Sequence, residues 1–295
     1  MRRRFPYFCS IQTEGGQHVC SATLLAPRLV LTSAFCVSPL GGVPDPRVAC
    51  GAGVMQAART IVNPKYEAAT FRNDIAMVEL NESAHSTPIG GTIAGFNYEA
   101  DGKTTFTILG CGVGCGSNQL RQASVPLQAY SVCNAPSAYA GAVVDPDMFC
   151  AGPLDGSVDS CSGDSGGPAI DMKGSSNPRD QRQAGIISWG AGCARPGFPG
   201  VYTRLDTYES FIYNEGYCGC TTTGLSGAAD TAPQGCSAEV ELQEREAGTA
   251  LSESSDGPGT WCYVVDPERC THSIPSQLFA GAALAPCTTN RTLGA

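Results

Sequence analysis

The run Gly163-Asp164-Ser165-Gly166-Gly167-Pro168 sets a serine in a turn of small residues. A serine hydroxyl attacks a carbonyl only when a base takes its proton and donors wait for the developing oxyanion. The glycine-rich turn meets the second need, because it projects Ser165 and lets the backbone N–H groups of Gly163 and Ser165 converge. The first need is harder to meet. The chain has 3 histidines, His18, His85 and His272. His272 falls in a cysteine-rich C-terminal segment, and His85 lies in the surface-like stretch NESAHST. His18 precedes Cys20 on an expected strand and is placed away from Ser165. None is expected to serve as the base.

The elements that must hold such a turn are short. Apolar runs (SATLLA, RLVLTS, DIAMVEL, TFTIL and AGIISW) alternate with Gly, Pro and Asn from Phe5 to about Cys220, a pattern of barrel or sandwich strands. Residues Leu205 to Asn214 form one amphipathic piece, expected as a short helix. Residues 221–235 are small and polar and read as a linker. Beyond them, 236–295 carries Cys236, Cys262, Cys270 and Cys287 in a compact segment. A length of 295 residues fits one large domain, 1–220, and one small module.

Charge and cysteine usage narrow the setting. A net charge of −9 disfavours non-specific binding to nucleic acid or anionic membrane. No apolar run of membrane-spanning length is present. The 16 cysteines suit disulfides in a secreted or lumenal protein. Few histidines and no repeated zinc-spaced CxxC argue against a metal protein, and no cofactor motif appears. Met1-Arg-Arg-Arg leads into Phe5-Pro-Tyr-Phe without a long apolar stretch, so the expectation is that the natural beginning is missing.

VDSCSGDSGGP, followed by SWGAGC and PGVYT, resembles the trypsin-like serine protease domain, and the likeness covers about three quarters of the chain. HVCSATLLAPRLVLTSAFC, NDIAMVEL and MFCAG resemble further segments of that family. The resemblance implies an all-β fold of two six-stranded antiparallel barrels with the site in the cleft between them. It implies Ser165 as nucleophile, Gly163 and Ser165 as oxyanion donors and Asp74 as the buried aspartate. It implies disulfides Cys20–Cys36, Cys133–Cys150 and Cys161–Cys193. Asp159, six residues before Ser165, falls where trypsin-like members keep the pocket carboxylate. Gly190 and Gly200 match the small residues that admit a long side chain, and Ser188-Trp189-Gly190 matches the edge that pairs with substrate backbone. A buried carboxylate in a slot selects Lys or Arg, so the expected partner is a protein or peptide with such a residue exposed.

The pattern breaks at one position. The family motif ends in His-Cys where this chain reads Ser33-Ala34-Phe35-Cys36, so Phe35 occupies the place of the general base. Phenylalanine has no nitrogen to accept the Ser165 proton, and the chain is expected to be inactive or severely impaired. The resemblance also implies a zymogen-like network in which Ser10 and His18 hold Asp164 and the oxyanion hole is unformed. Cys111 and Cys115 are candidates to bridge each other, and Cys9 and Cys50 to bridge neighbouring strands, although sequence alone does not fix connectivity.

Three functions compete at this point. One is a non-catalytic homologue acting by protein binding or regulation, and another is a working endopeptidase cleaving after Lys or Arg. The third is an adhesive module carried by the tail, where GTWCYVVDPERC has a weak kringle-like flavour and Trp261, Tyr263 and Asp266 are candidate liners of a small site. Asn81 and Asn290 stand in N-x-S/T sequons, open to glycosylation if the protein is secreted.

Overall fold

The computed structural model describes residues 4–39, 42–93, 103–112 and 120–217, and beyond these 225–226, 229–230, 244, 249, 261–264, 270, 274–276 and 282–286. Twelve strands build two antiparallel sheets. The first six are β1 (Phe8–Gln12), β2 (His18–Ala26), β3 (Leu29–Thr32), β4 (Arg47–Cys50), β5 (Gly53–Val62) and β6 (Ala76–Leu80). They close into a barrel in the order β1-β2-β3-β6-β5-β4. β3 and β6 are buried along their whole length, which explains their continuous apolar runs LVLT and AMVEL. The one acid in β6, Glu79, is buried against Arg28 at 3.8 Å and Arg59 at 3.6 Å. Its charge is thus matched inside the barrel rather than left bare.

The second six strands are β7 (Thr105–Gly110), β8 (Arg121–Pro126), β9 (Met148–Ala151), β10 (Pro168–Asp171), β11 (Arg182–Trp189) and β12 (Gly200–Arg204). Their order is β8-β7-β10-β11-β12-β9. An antiparallel bridge between Leu127 and Ala151 draws the outer edges together, backed by Gln128 N–H donating to the Cys150 carbonyl at 3.0 Å. This contact makes the second sheet barrel-like and shortens its open edge, the usual liability of an all-β fold. The amphipathic piece after β12 is helical, but in three kinds of turn: 3-10 over Leu205–Tyr208, α over Glu209–Phe211 and π over Ile212–Tyr217.

The two sheets share one seam. Leu109, Ile170, Ile186 and Leu205 pack into the same buried cluster as the first barrel. Ser21 N–H on β2 donates to the Ser165 carbonyl at 2.8 Å, and Thr203 Oγ1 on β12 donates to the Asp74 carbonyl at 2.9 Å. These cross-barrel bonds fix the loops that carry the expected site. In the C-terminal segment, 261–263, 283–286 and 274–275 form a three-stranded sheet, with Tyr213 packed against buried Val264, Cys270 and Ala283.

Candidate active site

Ser165 stands at the start of a turn that leads into β10. Gly166 N–H donates to the Ile187 carbonyl and Ile187 N–H to the Gly167 carbonyl, both at 2.8 Å, so the turn is stitched to β11. Gly166 has φ +81°, and a Cβ there would lie 2.2 Å from Thr32 Oγ1 and 2.3 Å from the Ser21 carbonyl oxygen. Only glycine fits this close approach. The Ser165 carbonyl also sits 3.5 Å from Cys36 Sγ, which places the serine turn directly against the Cys20–Cys36 disulfide. Among the described residues, neither the N–H groups of Gly163 and Ser165 nor the Ser165 hydroxyl has a hydrogen-bond partner. Three donors are therefore free at one turn.

Asp74 lies behind Phe35. Its carboxylate is fully buried, and it accepts from Phe35 N–H at 2.8 Å and from Ser188 Oγ at 2.5 Å, with Ala34 N–H as a further donor. Burial pushes its pKa up to about 6, while those three donors pull the other way. No cation pairs with it among the described residues. The Phe35 ring itself is 37% exposed, a high value for so large an apolar group. It faces Phe71 with ring centroids 6.0 Å apart, and Phe71 stacks on Trp189 at 6.4 Å. Phe71 holds φ +56°, an uncommon conformation for a bulky residue.

Beside the serine turn is a cavity of about 220 Å3 lined by Asp159, Ser160, Ser165, Ser188, Trp189, Gly190 and Gly200, among others. Asp159 receives Ser160 N–H at 2.8 Å and Ala194 N–H at 2.9 Å. Its pKa is raised by burial, opposed by those two amides. No cation among the described residues neutralises it. A Cβ at Gly200 would meet Asp159 Oδ1 at 3.0 Å, so the glycine keeps space at the acid. The disulfide Cys161–Cys193 lines one wall, and Cys133–Cys150 ties the helix over Tyr130–Cys133 to β9.

The expected Ser10–His18–Asp164 network is present only in its first link, which corrects the sequence-based expectation. Ser10 Oγ lies 2.7 Å from His18 Nδ1, but His18 Nε2 lies 2.8 Å from the Gly163 carbonyl oxygen. A carbonyl can only accept, so Nε2 carries the proton and Ser10 donates to Nδ1. Ser21 Oγ donates to the same carbonyl at 3.1 Å. Asp164 is held instead by the N–H groups of Gly112 at 2.7 Å and Cys161 at 2.9 Å. The reason is geometric: the Gly163 carbonyl, not the carboxylate, points at the His18 ring. His18 also comes closer to the serine turn than its sequence position implied. Burial lowers its pKa, so the ring is neutral in this arrangement at ordinary pH.

Two participants escaped sequence reasoning: Ser21, which helps fix the Gly163 carbonyl, and Phe71, which extends the aromatic row. The only sequence signal for Ser21 is its place beside Cys20, and Phe71 has none. Cys9 pairs with Cys50 across β1 and β4. Cys111 is disulfide-bonded, whereas Cys115 lies outside the described residues, as do the side chains of Trp261 and Tyr263, and also Asp266 and Asn290. His85 is exposed on the surface.

Two six-stranded antiparallel sheets, with a serine turn tied to the first barrel and an acid-lined cavity beside it in the second, define a chymotrypsin-like all-β protein. The family described as Trypsin matches residues 1–212. Trypsin of Saccharopolyspora erythraea is 35% identical over 224 residues, covering 71% of this chain and 92% of that relative. Trypsin-3 of Salmo salar is 33% identical over 219 residues, covering 70% and 85%. Transmembrane protease serine 5 of Homo sapiens is 32% identical over 230 residues, covering 72% of this chain and 49% of the relative. The chain belongs to the trypsin family of serine proteases. Among the described residues, no helix is long and apolar enough to cross a membrane.

Proposed function

We propose that this protein is a non-catalytic member of the trypsin family that binds proteins or peptides through an exposed Lys or Arg. One observation carries the proposal: the residue whose N–H meets Asp74 is Phe35, whose side chain cannot take a proton. Loss of the base from a serine triad costs on the order of a million-fold in turnover, about 8 kcal/mol of transition-state stabilisation. Ser165 then keeps its proton, and the cleft is left with recognition alone. The uncompensated Asp159 carboxylate in the cavity supports a cationic side chain as the recognised group. The cysteine usage supports a secreted or lumenal setting, in which Asn81, exposed after β6, is available for glycosylation. In this reading 1–220 is the binding domain, 221–235 a linker and 236–295 an accessory module.

A second reading, a working endopeptidase cleaving after Lys or Arg, is favoured by the free Gly163 and Ser165 N–H groups. One assay separates the two. Protein given an Ile-Val-Gly-Gly start is assayed on an arginyl amide beside Phe35→His. Silence in the parent with turnover in the variant supports the non-catalytic reading. Ordinary protease rates in the parent, abolished by Ser165→Ala, overturn it. Retention of a captured partner after deletion of 221–295 argues against binding through the tail.

A further inference from the structure

We infer that the preferred ligand of this cleft is a peptide ending in Lys or Arg with a free C-terminal carboxylate, rather than an internal Lys or Arg. The inference rests on the Lys/Arg-binding reading above and names its ligand class. It starts from the donors. Gly163 N–H, Ser165 N–H and the Ser165 hydroxyl are all unpartnered among the described residues, and Ser165 lines the same cavity as Asp159. In a working serine hydrolase the hydroxyl proton is committed to the base. Here Phe35 offers no acceptor, so the hydroxyl remains a donor.

Three donors and no base make a site for an anion rather than for a reacting carbonyl. An internal peptide carbonyl is neutral and has one oxygen to offer. A terminal carboxylate brings a full charge and two oxygens, and hydrogen bonds to a charged group are roughly twice as strong as neutral ones. The turn that carries the donors is also tied to its neighbours before any ligand arrives. His18 Nε2 at 2.8 Å and Ser21 Oγ at 3.1 Å grip the Gly163 carbonyl, and Asp164 is pinned by Gly112 and Cys161 N–H groups. A C-terminal Lys or Arg therefore presents a cation to Asp159 and an anion to the serine turn from one residue. Hydrolysis of a peptide bond on the carboxyl side of Lys or Arg generates such ends, so the reaction class that supplies this ligand is trypsin-like cleavage by another protein.

The net charge of −9 works against any anion at long range. A preference for the acid must therefore come from local donors. The test titrates the full chain with one N-acetylated fluorescent peptide ending in Arg, as free acid and as C-terminal amide, read by anisotropy. The acid is expected to bind about tenfold more tightly than the amide. Ser165→Ala should lower the acid-to-amide ratio severalfold, because the hydroxyl loses more with a charged acceptor than with a neutral one. Asp159→Asn should weaken both peptides more than tenfold and leave the ratio intact. Equal affinity of acid and amide, both still dependent on Asp159, overturns this inference and leaves the Lys/Arg reading standing. Binding that ignores Asp159, or no binding of either peptide, overturns both. The acid–amide comparison uses the unaltered protein, so the result does not hang on a variant that folds.

Discussion

The Phe35 amide donates to Asp74 Oδ1 across 2.8 Å, yet the Phe35 side chain brings no charge to meet the carboxylate. The contact is made by the backbone alone, since the phenyl ring has no atom that can exchange a proton. What remains is a fully buried acid stabilised by three neutral donors and no cation. A group in that position makes folding depend on pH.

The carboxyl of Asp74 is raised from 3.8 to about 6, so the native state binds its proton more tightly than the unfolded chain. Stability from this group is fully present below pH 4 and is lost as pH rises through 6. The loss amounts to about 3 kcal/mol, from roughly two pKa units at about 1.4 kcal/mol each. His18 runs the other way: its lowered folded pKa makes stability rise as pH climbs toward 6.5. Chemical denaturation of the wild type and Asp74→Asn from pH 4 to 8 separates the two effects. The stability of Asp74→Asn minus that of the wild type should grow with pH and level off above 6. A flat difference would show that Asp74 does not titrate in this range.

Glycine is required at Gly166 for two reasons and at Gly192 for one. Both have positive φ, +81° and +90°, but a Cβ at Gly166 meets Thr32 and Ser21 while one at Gly192 meets nothing within 4 Å. Gly166→Ala should therefore cost about 3 kcal/mol or more, from overpacking added to backbone strain. Gly192→Ala should cost only about 1 kcal/mol. Urea midpoints of the two variants test this ordering, and equal losses would count against the clash.

The Cys9–Cys50 bridge closes a 41-residue separation between two strands that already pair. Chain-entropy arithmetic gives about 4 kcal/mol for a loop of this length. Replacing both cysteines by alanine should lower stability by up to that amount and leave peptide affinity in the cleft unchanged. A loss of affinity would mean that the first barrel, and not only the unfolded chain, depends on the bond.

Much of this molecule was legible because its signals are local or carried by spacing. Short apolar runs broken by Gly and Pro gave the strands, and β3 and β6 fell where LVLT and AMVEL stand. The resemblance carried Cys20–Cys36, Cys133–Cys150 and Cys161–Cys193, and each of these pairs is bonded. The network around His18 was legible only in part. Ser10 and His18 sit on adjacent strands β1 and β2, so their contact follows from pairing. Whether the other ring nitrogen meets a carboxylate or a carbonyl depends on the orientation of a turn some 145 residues away.

The sequence by itself determined the fold family, the serine turn and a side chain without a nitrogen at Phe35, because residue identity and turn chemistry do not depend on distant partners. Only the tertiary structure decided that Asp74 is answered by Phe35 N–H and Ser188, and that Phe35, Phe71 and Trp189 form one aromatic row. It also decided that Asp159 and Ser165 open into one cavity. These relations join strands and loops far apart in the chain, and side-chain direction there is set by packing between the two barrels.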